Sequence, residues 1–142
     1  MANDTTDAAL PVGGSLGVTL GFSVEERTKE RVIMTMEVTP RVHQPYGVLH
    51  GGASAALAES AASVGANLNC AEGMVALGQE LNVNHVRPKR EGLIRAVAVP
   101  VHVGRTSQVW TIEIRDEAQK LVCIGRCTLA VVPSPAQDER RP

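Results

Sequence analysis

The sequence predicts one α+β domain in which a single long helix packs against one antiparallel sheet. The first observation is a stretch at 53–68 that is long and periodic enough to form a buried helix. The second is the alternation of apolar and polar residues in two stretches before this helix and four after it. The third is the length of 142 residues, which is typical of one domain. An order of two strands, a helix and four strands is typical of the α+β class.

Composition and charge argue against several classes of protein. The formal net charge of −1 argues against a nucleic-acid partner, because such domains are usually basic. No apolar run is long enough to span a membrane, and the polar, acidic residues 1–7 do not resemble a signal peptide. The three cysteines form no Cys-x-x-Cys motif, which argues against structural zinc or a disulfide framework. We therefore expect a protein of the reducing cytoplasm.

The domain limits follow from composition. Residues 1–12 are expected to be a flexible arm, and residues 13–132 are expected to form the folded domain. Residues 133–142 are polar and proline-rich, which predicts a disordered tail. The chain has one Phe, one Tyr and one Trp, so its core must be built mainly from Val, Leu, Ile and Ala.

The strands are predicted from the alternation of apolar and polar residues. The first two are expected at 16–24 and 31–38, with the polar segment 25–30 as the turn between them. Pro40 ends the second strand. Four further strands are expected after the helix, at 75–86, 93–103, 107–114 and 121–132.

Two details of the later strands can also be predicted. One face of the third strand is expected to carry four apolar residues, Val75, Leu77, Leu81 and Val83. The last two strands are expected to form a hairpin with its turn at 115–120. That turn contains no glycine, so one of its residues is expected to adopt a positive φ at a cost of roughly 1 kcal/mol.

The predicted helix is apolar on most of its circumference, which indicates that it is buried. Its one charged residue is Glu59, and Ser63 and Asn67 continue a narrow polar line at i+4 and i+8. Burial of an isolated charge is very unfavourable. Glu59 must therefore be paired, hydrogen-bonded, protonated or functional.

Gly51 and Gly52 come just before this helix. They leave backbone N–H groups at the positive end of the helix, where an anion or a developing oxyanion can bind. Glu59 follows about two turns later. A carboxylate and N–H donors in this arrangement indicate an acyl-transfer site.

The residues around the helix start resemble those of the hot-dog-fold thioesterases. The resemblance is carried mainly by Gln44-Pro45-Tyr46-Gly47-Val48-Leu49-His50-Gly51-Gly52-Ala53 and Leu57-Ala58-Glu59-Ser60. It runs from about residue 17 to residue 132 and includes Asn82-x-Asn84-His85-x-Arg87, Glu91-Gly92, His102-x-Gly104 and Trp110. The chain is similar to the branch of PaaI and the Arthrobacter-type 4-hydroxybenzoyl-CoA thioesterase. It is closer still to enzymes for 1,4-dihydroxy-2-naphthoyl-CoA or for misloaded aryl carrier proteins. It departs from them in the hairpin, where relatives often carry Gly and this chain has Gln119.

The resemblance implies a hot-dog fold, in which a curved antiparallel sheet wraps around one long central helix. It implies a homodimer with active sites at the subunit interface, and pairing of dimers into a homotetramer. It also implies that Glu59 attacks the thioester or activates water while the Gly51 N–H polarises the carbonyl. Gln44, His50 and Ser63 are expected to lie near the thioester.

These residues also have purely structural interpretations. Glu59 could pair with an arginine, His50 could hold the loop, Gln44 could cap it, and Ser63 could serve only for packing. We favour catalysis for Glu59 because no basic residue lies in its helix and the helix start supplies an oxyanion site. His50 is expected to orient the loop or the thioester rather than to act as a base. The amide of Gln44 is expected to complete the oxyanion hole.

Basic and hydroxyl side chains near two strand ends are candidates for binding the phosphates of CoA. One group follows the third predicted strand and consists of Arg87, Lys89 and Arg90. The other joins two strands and consists of Arg105, Thr106 and Ser107. The structural alternative is that all six are solvated loop residues.

Metal and cofactor chemistry is not expected. His43, His85 and His102 lack the spacing of metal ligands, so the sequence predicts no metal site and no cofactor. Cys123 and Cys127 fall on the apolar face of a predicted strand and are expected to lie in the core.

The sequence therefore predicts a thioester hydrolase that cleaves aromatic or medium-sized acyl-CoA. One alternative is a thioesterase for acyl or aryl groups on a carrier protein, and another is a non-catalytic acyl-CoA-binding module. Hydration of an enoyl thioester would need a second carboxylate near Glu59, which the motif lacks. The expected partners are acyl-CoA and further copies of this chain, with no nucleic acid and no membrane.

Overall fold

A computed structural model describes residues 15–135 of the chain. The predicted arm at 1–12 and all but the first three residues of the predicted tail lie outside this range. The helices are α1 (Leu16–Leu20), a short 3-10 helix (Pro40–Val42) and α2 (Gly51–Leu68). The strands are β1 (Ser23–Arg27), β2 (Val32–Val38), β3 (Met74–His85), β4 (Gly92–Val103), β5 (Ser107–Asp116) and β6 (Leu121–Pro133).

The six strands form one antiparallel sheet in the order β1-β2-β4-β5-β6-β3. The sheet curves around α2, which packs against strands β2 to β6. The α+β class and the hot-dog fold are therefore confirmed. The bounds of α2 and of β2 to β6 lie within two residues of the predicted ones. Within residues 15–135, no helix has the length and apolar character needed to cross a membrane.

Small residues allow α2 to lie close to the sheet. Ala61, Ala62 and Ala66 are fully buried on the helix. Gly65 lies directly against the indole of Trp110 on β5, where any added Cβ would overlap the ring. Trp110 itself is completely buried. Close approach of helix and sheet therefore depends on the absence of larger side chains along this face of α2.

The expected strand at 16–24 is wrong in its first half, because the chain forms α1 there. The Oγ of Ser15 accepts a hydrogen bond from the Val18 N–H at 3.3 Å and caps the helix. Gly21 ends the helix in the left-handed conformation, with φ of 78°. Phe22 then turns the chain into β1 and packs against the core.

The expected apolar face of β3 is also wrong. Ala76 is only 2% exposed whereas Leu77 is 55% exposed, although Leu81 and Val83 do pack against the core. The pairing with β6 shifts by one residue between Gly78 and Glu80, which is a β-bulge. A bulge inserts one unpaired residue into the strand. Residues that simple alternation would place on the same face before and after the bulge therefore point to opposite faces of the sheet.

The hairpin between β5 and β6 confirms the prediction of a positive φ. Gln119 has a φ of 62° and is the one non-glycine residue of residues 15–135 in that conformation. The Oδ1 of Asp116 accepts hydrogen bonds from the N–H groups of Ala118 and Lys120, each at 2.9 Å. These bonds hold the pKa of Asp116 below its usual value, with the bond from Lys120 as the main cause.

The strain at Gln119 predicts the effect of a glycine there. Gln119→Gly should raise the free energy of unfolding by up to about 1 kcal/mol and Tm by a few degrees, because glycine adopts positive φ without strain. Gln119→Ala keeps the strain and should melt close to wild type. Thermal unfolding of both variants checks this. A Gln119→Gly protein that melts at or below the wild-type temperature would contradict it.

Candidate active site

The start of α2 is built by His50. This residue is the N-cap, and its Nδ1 accepts a hydrogen bond from the Gly52 N–H at 2.8 Å. A neutral imidazole that accepts at Nδ1 carries its proton on Nε2 and can donate from there. The cap uses the Gly52 N–H, so only one of the two predicted glycine donors remains. The Gly51 N–H has no acceptor among residues 15–135.

Gln44 is held in the loop that precedes this helix. Its backbone N–H donates to the Val48 carbonyl at 2.8 Å, and its own carbonyl accepts from the Gly47 N–H at 3.0 Å. Its side-chain Oε1 accepts a hydrogen bond from the Tyr46 N–H. This bond fixes the amide and leaves its NH₂ group, the donor half, for a ligand.

The structure adds His85, which the sequence analysis included in the family resemblance and excluded as a metal ligand but did not assign to the active site. His85 is the last residue of β3, and its Nε2 lies 2.6 Å from where a Cβ on Gly51 would be. Gln44, Gly51 and His85 line one cavity of about 380 Å³, together with Ser54 and Arg87. The place of His85 in the motif Asn82-x-Asn84-His85-x-Arg87 is the sequence signal that could have identified it.

Glu59 lies in the middle of α2 and is half buried. Within residues 15–135 its carboxylate has no ion pair and no hydrogen-bond partner, so pairing with an arginine does not explain it. The carboxylate lies against Gly78 at the bulge of β3, where an added Cβ would overlap Oε1 and lie 2.9 Å from Cδ. A carboxylate kept without a partner in a buried helix is typical of a functional group.

One chain does not bring Glu59 and the Gly51 N–H together. They are eight residues apart on one helix, which corresponds to about 12 Å along its axis. Ser63 lies a further turn along α2 and lines a second cavity of about 310 Å³ with Asn67 and Arg27. The predicted catalytic residues therefore form two groups in a single chain, one at the helix start and one at mid-helix.

The basic residues after β3 differ in what they can do. Arg87 lines the first cavity, and Arg90 is exposed beside Gly47. The ammonium group of Lys89 is paired with Glu117, and its side chain is only 15% exposed. Hydrogen bonding to Lys89 lowers the pKa of the Glu117 carboxyl. The Nε of Arg87 donates to the Leu121 carbonyl at 3.4 Å. The charge of Lys89 is therefore paired, whereas Arg87 and Arg90 are exposed near the cavity without an ion pair among residues 15–135.

The second basic group lies at the other end of the sheet. Ser107 pairs with Ala130 on β6, which in turn pairs with Leu77 on β3. His85 is eight residues farther along β3, a distance of about 26 Å. One chain therefore does not join Arg105, Thr106 and Ser107 to the cavity beside Arg87.

The cysteines lie where the sequence predicted. Cys123 and Cys127 are buried, and all three cysteines are free thiols. Burial, with a contribution from the negative charges of Glu59 and Glu80, raises the pKa of the Cys127 thiol to about 11. Cys127 is therefore protonated at neutral pH, which makes it unsuitable as a thiolate nucleophile.

The fold, together with the similarity to known proteins, identifies a thioester hydrolase of the hot-dog class. The chain matches the thioesterase superfamily model over residues 46–123 and belongs to that family. It is 46% identical to a 1,4-dihydroxy-2-naphthoyl-CoA hydrolase of Listeria monocytogenes, over 80% of this chain and 92% of that protein. It is 40% identical to the proofreading thioesterase EntH of Cronobacter turicensis, over 84% and 87% of the two chains. A thioesterase crystal structure from Haemophilus influenzae superposes with a TM-score of 0.82 at 41% identity, covering 88% of this chain and 87% of that one.

Proposed function

We propose that this protein hydrolyses aromatic or medium-sized acyl-CoA to the free acid and CoA in the cytoplasm. The observation that carries the proposal is the unpaired carboxylate of Glu59 on a buried helix whose first N–H group, at Gly51, is also free. The Listeria relative, which is named as a hydrolase of an aromatic acyl-CoA, supports this class of substrate.

The free groups suggest a division of work at the thioester. The Gly51 N–H and the Gln44 NH₂ group stabilise the oxygen of the carbonyl as it becomes negative. Glu59 either takes a proton from the attacking water or attacks the carbonyl itself, and the C–S bond then breaks to release the CoA thiolate. In the second case water hydrolyses the resulting anhydride. The Nε2–H of His50 orients the thioester, and Ser63 lies beside the acyl group.

We further propose that two chains share each active site. The separation of about 12 Å between Gly51 and Glu59 is too large for one thioester to bridge within a chain. Strand β3 is at an edge of the sheet, and unpaired edges favour pairing with another strand. Glu59 lies beside Gly78, and Gly51 lies beside His85 at the opposite end of this segment. Antiparallel pairing of two β3 strands would therefore bring Glu59 of one chain towards the partner's helix start.

The same dimer could unite the two basic groups. Antiparallel pairing would bring the Arg105, Thr106 and Ser107 turn of one chain towards the partner's Arg87 and Arg90, at the entrance of the cavity. Phosphates of CoA would bind these side chains outside the acyl pocket. Pairing of dimers into a homotetramer is supported by exposed valines on β4, at Val99, Val101 and Val103.

A second candidate is hydrolysis of thioesters on a carrier protein. Exposed Arg87 and Arg90 at the cavity would suit an acidic helix of a carrier as well as a nucleotide. The relative named as a proofreading thioesterase is compatible with this candidate. Comparison of kcat/KM for one acyl group on CoA and on a carrier protein separates the two.

The role of Glu59 is tested by Glu59→Gln, which keeps the size of the side chain but removes its charge and basicity. We expect kcat to fall at least about 10²-fold while the fold is unchanged. Steady-state kinetics with a good acyl-CoA and circular dichroism check this. Near-normal turnover would exclude Glu59 as a catalytic residue, and acyl-CoA binding without turnover by the wild type would favour the non-catalytic module.

The shared site is tested by mixing two inactive variants, Glu59→Gln and His50→Asn. Asn is a good N-cap, so the second variant removes the imidazole but keeps a cap for α2. In a random one-to-one mixture about half of the dimers are mixed, and each has one intact site of two, so about one quarter of wild-type activity should return. Mass spectrometry confirms that mixed dimers have formed. Their complete inactivity would contradict a shared site.

Binding of the CoA phosphates is tested by Arg87→Ala and Arg90→Ala. Exposed charge contacts are weak and screened, so KM for acyl-CoA should rise several-fold to about 10-fold, with kcat little changed. The effect should shrink at high salt and should nearly vanish with a truncated thioester that lacks the nucleotide. Lys29→Ala, an exposed change in the turn before β2, is the control. An equal loss on the truncated substrate would mean that these residues support the fold or the acyl pocket.

A further inference from the structure

The residue that faces the Glu59 carboxylate is Gly78, and a positive φ does not explain why glycine occurs there. Gly78 has no positive φ, in contrast to Gly21, Gly47, Gly73 and Gly92. It lies within β3, where glycine weakens a strand through its conformational entropy and its missing side chain. A residue with a side chain could therefore adopt this backbone without strain, and the reason for glycine must lie in its surroundings.

The Glu59 side chain lies closest to the space that a side chain at position 78 would enter. All three atoms nearest to a Cβ added at Gly78 belong to Glu59: Oε1, which it would overlap, Cδ at 2.9 Å and Cγ at 3.2 Å. No real Cβ contact is closer than about 3.0 Å, so the carboxylate oxygen would have to move by more than about 1 Å. The carboxylate occupies the space that a side chain at position 78 would fill.

The strand is not free to move away instead. The Asn67 side chain on α2 donates from Nδ2 to the Ala76 carbonyl at 3.0 Å, and its Oδ1 accepts from the Ala76 N–H at 2.9 Å. Asn67 also donates to the Ser63 carbonyl at 2.8 Å. These bonds tie α2 to β3 two residues before Gly78. Any overlap at Gly78 must therefore be relieved by the flexible end of Glu59.

We propose that Gly78, at the bulge of β3, is a positioning residue for Glu59. It leaves the space in which the carboxylate is held, while Asn67 fixes the distance between helix and strand. The proposal rests on the catalytic role of Glu59 proposed above. It predicts an unusual combination for Gly78→Ala, namely loss of turnover without loss of stability.

The first test measures kinetics and stability of Gly78→Ala in the full-length protein. A displacement of about 1 Å in a catalytic group can reduce the rate by up to about 10²-fold, so kcat should fall 10-fold to 10²-fold while KM stays within about twofold. Tm should be unchanged or slightly higher, because alanine at an unstrained position restricts the unfolded chain. Gly125→Ala on β6 is the matched control, since its Cβ would lie 2.6 Å from the Asn82 backbone oxygen and should lower Tm.

The second test asks whether Gly78→Ala acts through Glu59. Asp is shorter than Glu by one methylene, so it has no atom at the Oε1 position that the added methyl group would overlap. Its carboxylate would lie near the present positions of Cγ and Cδ, 3.2 and 2.9 Å from the added Cβ, and needs only a small shift to avoid it. Gly78→Ala should therefore reduce kcat by less than about threefold in a Glu59→Asp background, compared with 10-fold or more in the wild type. An equal reduction in both backgrounds would overturn the proposal. A crystal structure of Gly78→Ala decides the question if Glu59→Asp turns over too slowly: a carboxylate displaced by about 1 Å supports the proposal, and an unmoved one overturns it.

The tests also separate this inference from the proposed function. Full activity of Gly78→Ala together with an inactive Glu59→Gln would mean that Glu59 is catalytic but that Gly78 does not position it. Full activity of Glu59→Gln would instead exclude the catalytic role itself, and with it the basis for a positioning residue.

Discussion

The depth at which α2 packs into the sheet is the constraint on which the rest of the structure depends. It is set by contact between Gly65 and the Trp110 ring, and by a buried chain of hydrogen bonds. The Trp110 Nε1–H donates to the Gln108 Oε1 at 3.0 Å, and the Gln108 Nε2 donates to the Ala66 carbonyl at 3.0 Å. The Trp110 and Gln108 side chains in this series of hydrogen bonds both have partners. The series therefore specifies one position of the helix without leaving these buried donors unpaired.

This fixed position determines which polar groups of the helix remain free. At the helix start, the His50 side chain accepts a hydrogen bond from the Gly52 N–H, and the Gly51 N–H has no acceptor among residues 15–135. Farther along the helix, the Asn67 amide is hydrogen-bonded to the Ala76 backbone, and the Glu59 carboxylate has no partner among the same residues. Unsatisfied polar groups are usually avoided in folded proteins because they are unfavourable to bury. Here the two free groups have opposite character, one a donor and one a carboxylate. In the proposed reaction, the donor stabilises the oxyanion of the tetrahedral intermediate and the carboxylate generates that intermediate.

The sequence predicts well what many residues determine jointly. The helix α2 and strands β2 to β6 follow from periodicities that extend over 7 to 18 residues, so one atypical residue does not change the prediction. The helix α1 has only five residues, and its position depends on the two residues that flank it, the N-cap Ser15 and the C-cap Gly21. The bulge in β3 inserts a single residue between Gly78 and Glu80, which no pattern over several residues reveals. Such features depend on single residues, so a pattern search misses them.

Contacts between residues far apart in the chain explain the remaining differences at the site. His85 reaches the helix start because β3 runs along α2, and no spacing in the sequence reveals that proximity. Lys89 was expected to bind phosphate, but Glu117, which lies 28 residues later, meets it across the sheet end. The register of the sheet also separates Arg105 from Arg87. A motif can therefore predict which residue types are functional candidates. Which of these residues lie together at one site depends on the order and register of the strands.

At two positions the residue type does not suit the backbone conformation, in one case for lack of a glycine and in the other for lack of a side chain. The contacts of the two residues indicate which mismatch is related to the proposed function. Gln119 occupies a left-handed conformation that suits glycine, and Gly78 occupies a strand that suits a side chain. The turn at Gln119 is held by the backbone bonds to Asp116 and the bond from Arg115 to the Gln119 carbonyl, so local contacts offset its strain. At Gly78 the atoms nearest to an added Cβ belong to the Glu59 carboxylate, which has no partner among residues 15–135. A residue type that does not suit its backbone conformation, and whose unfavourable effect no local contact offsets, indicates a functional constraint. By this criterion the strain in the hairpin concerns stability, whereas the glycine at the bulge of β3 fits the positioning role that we propose for it.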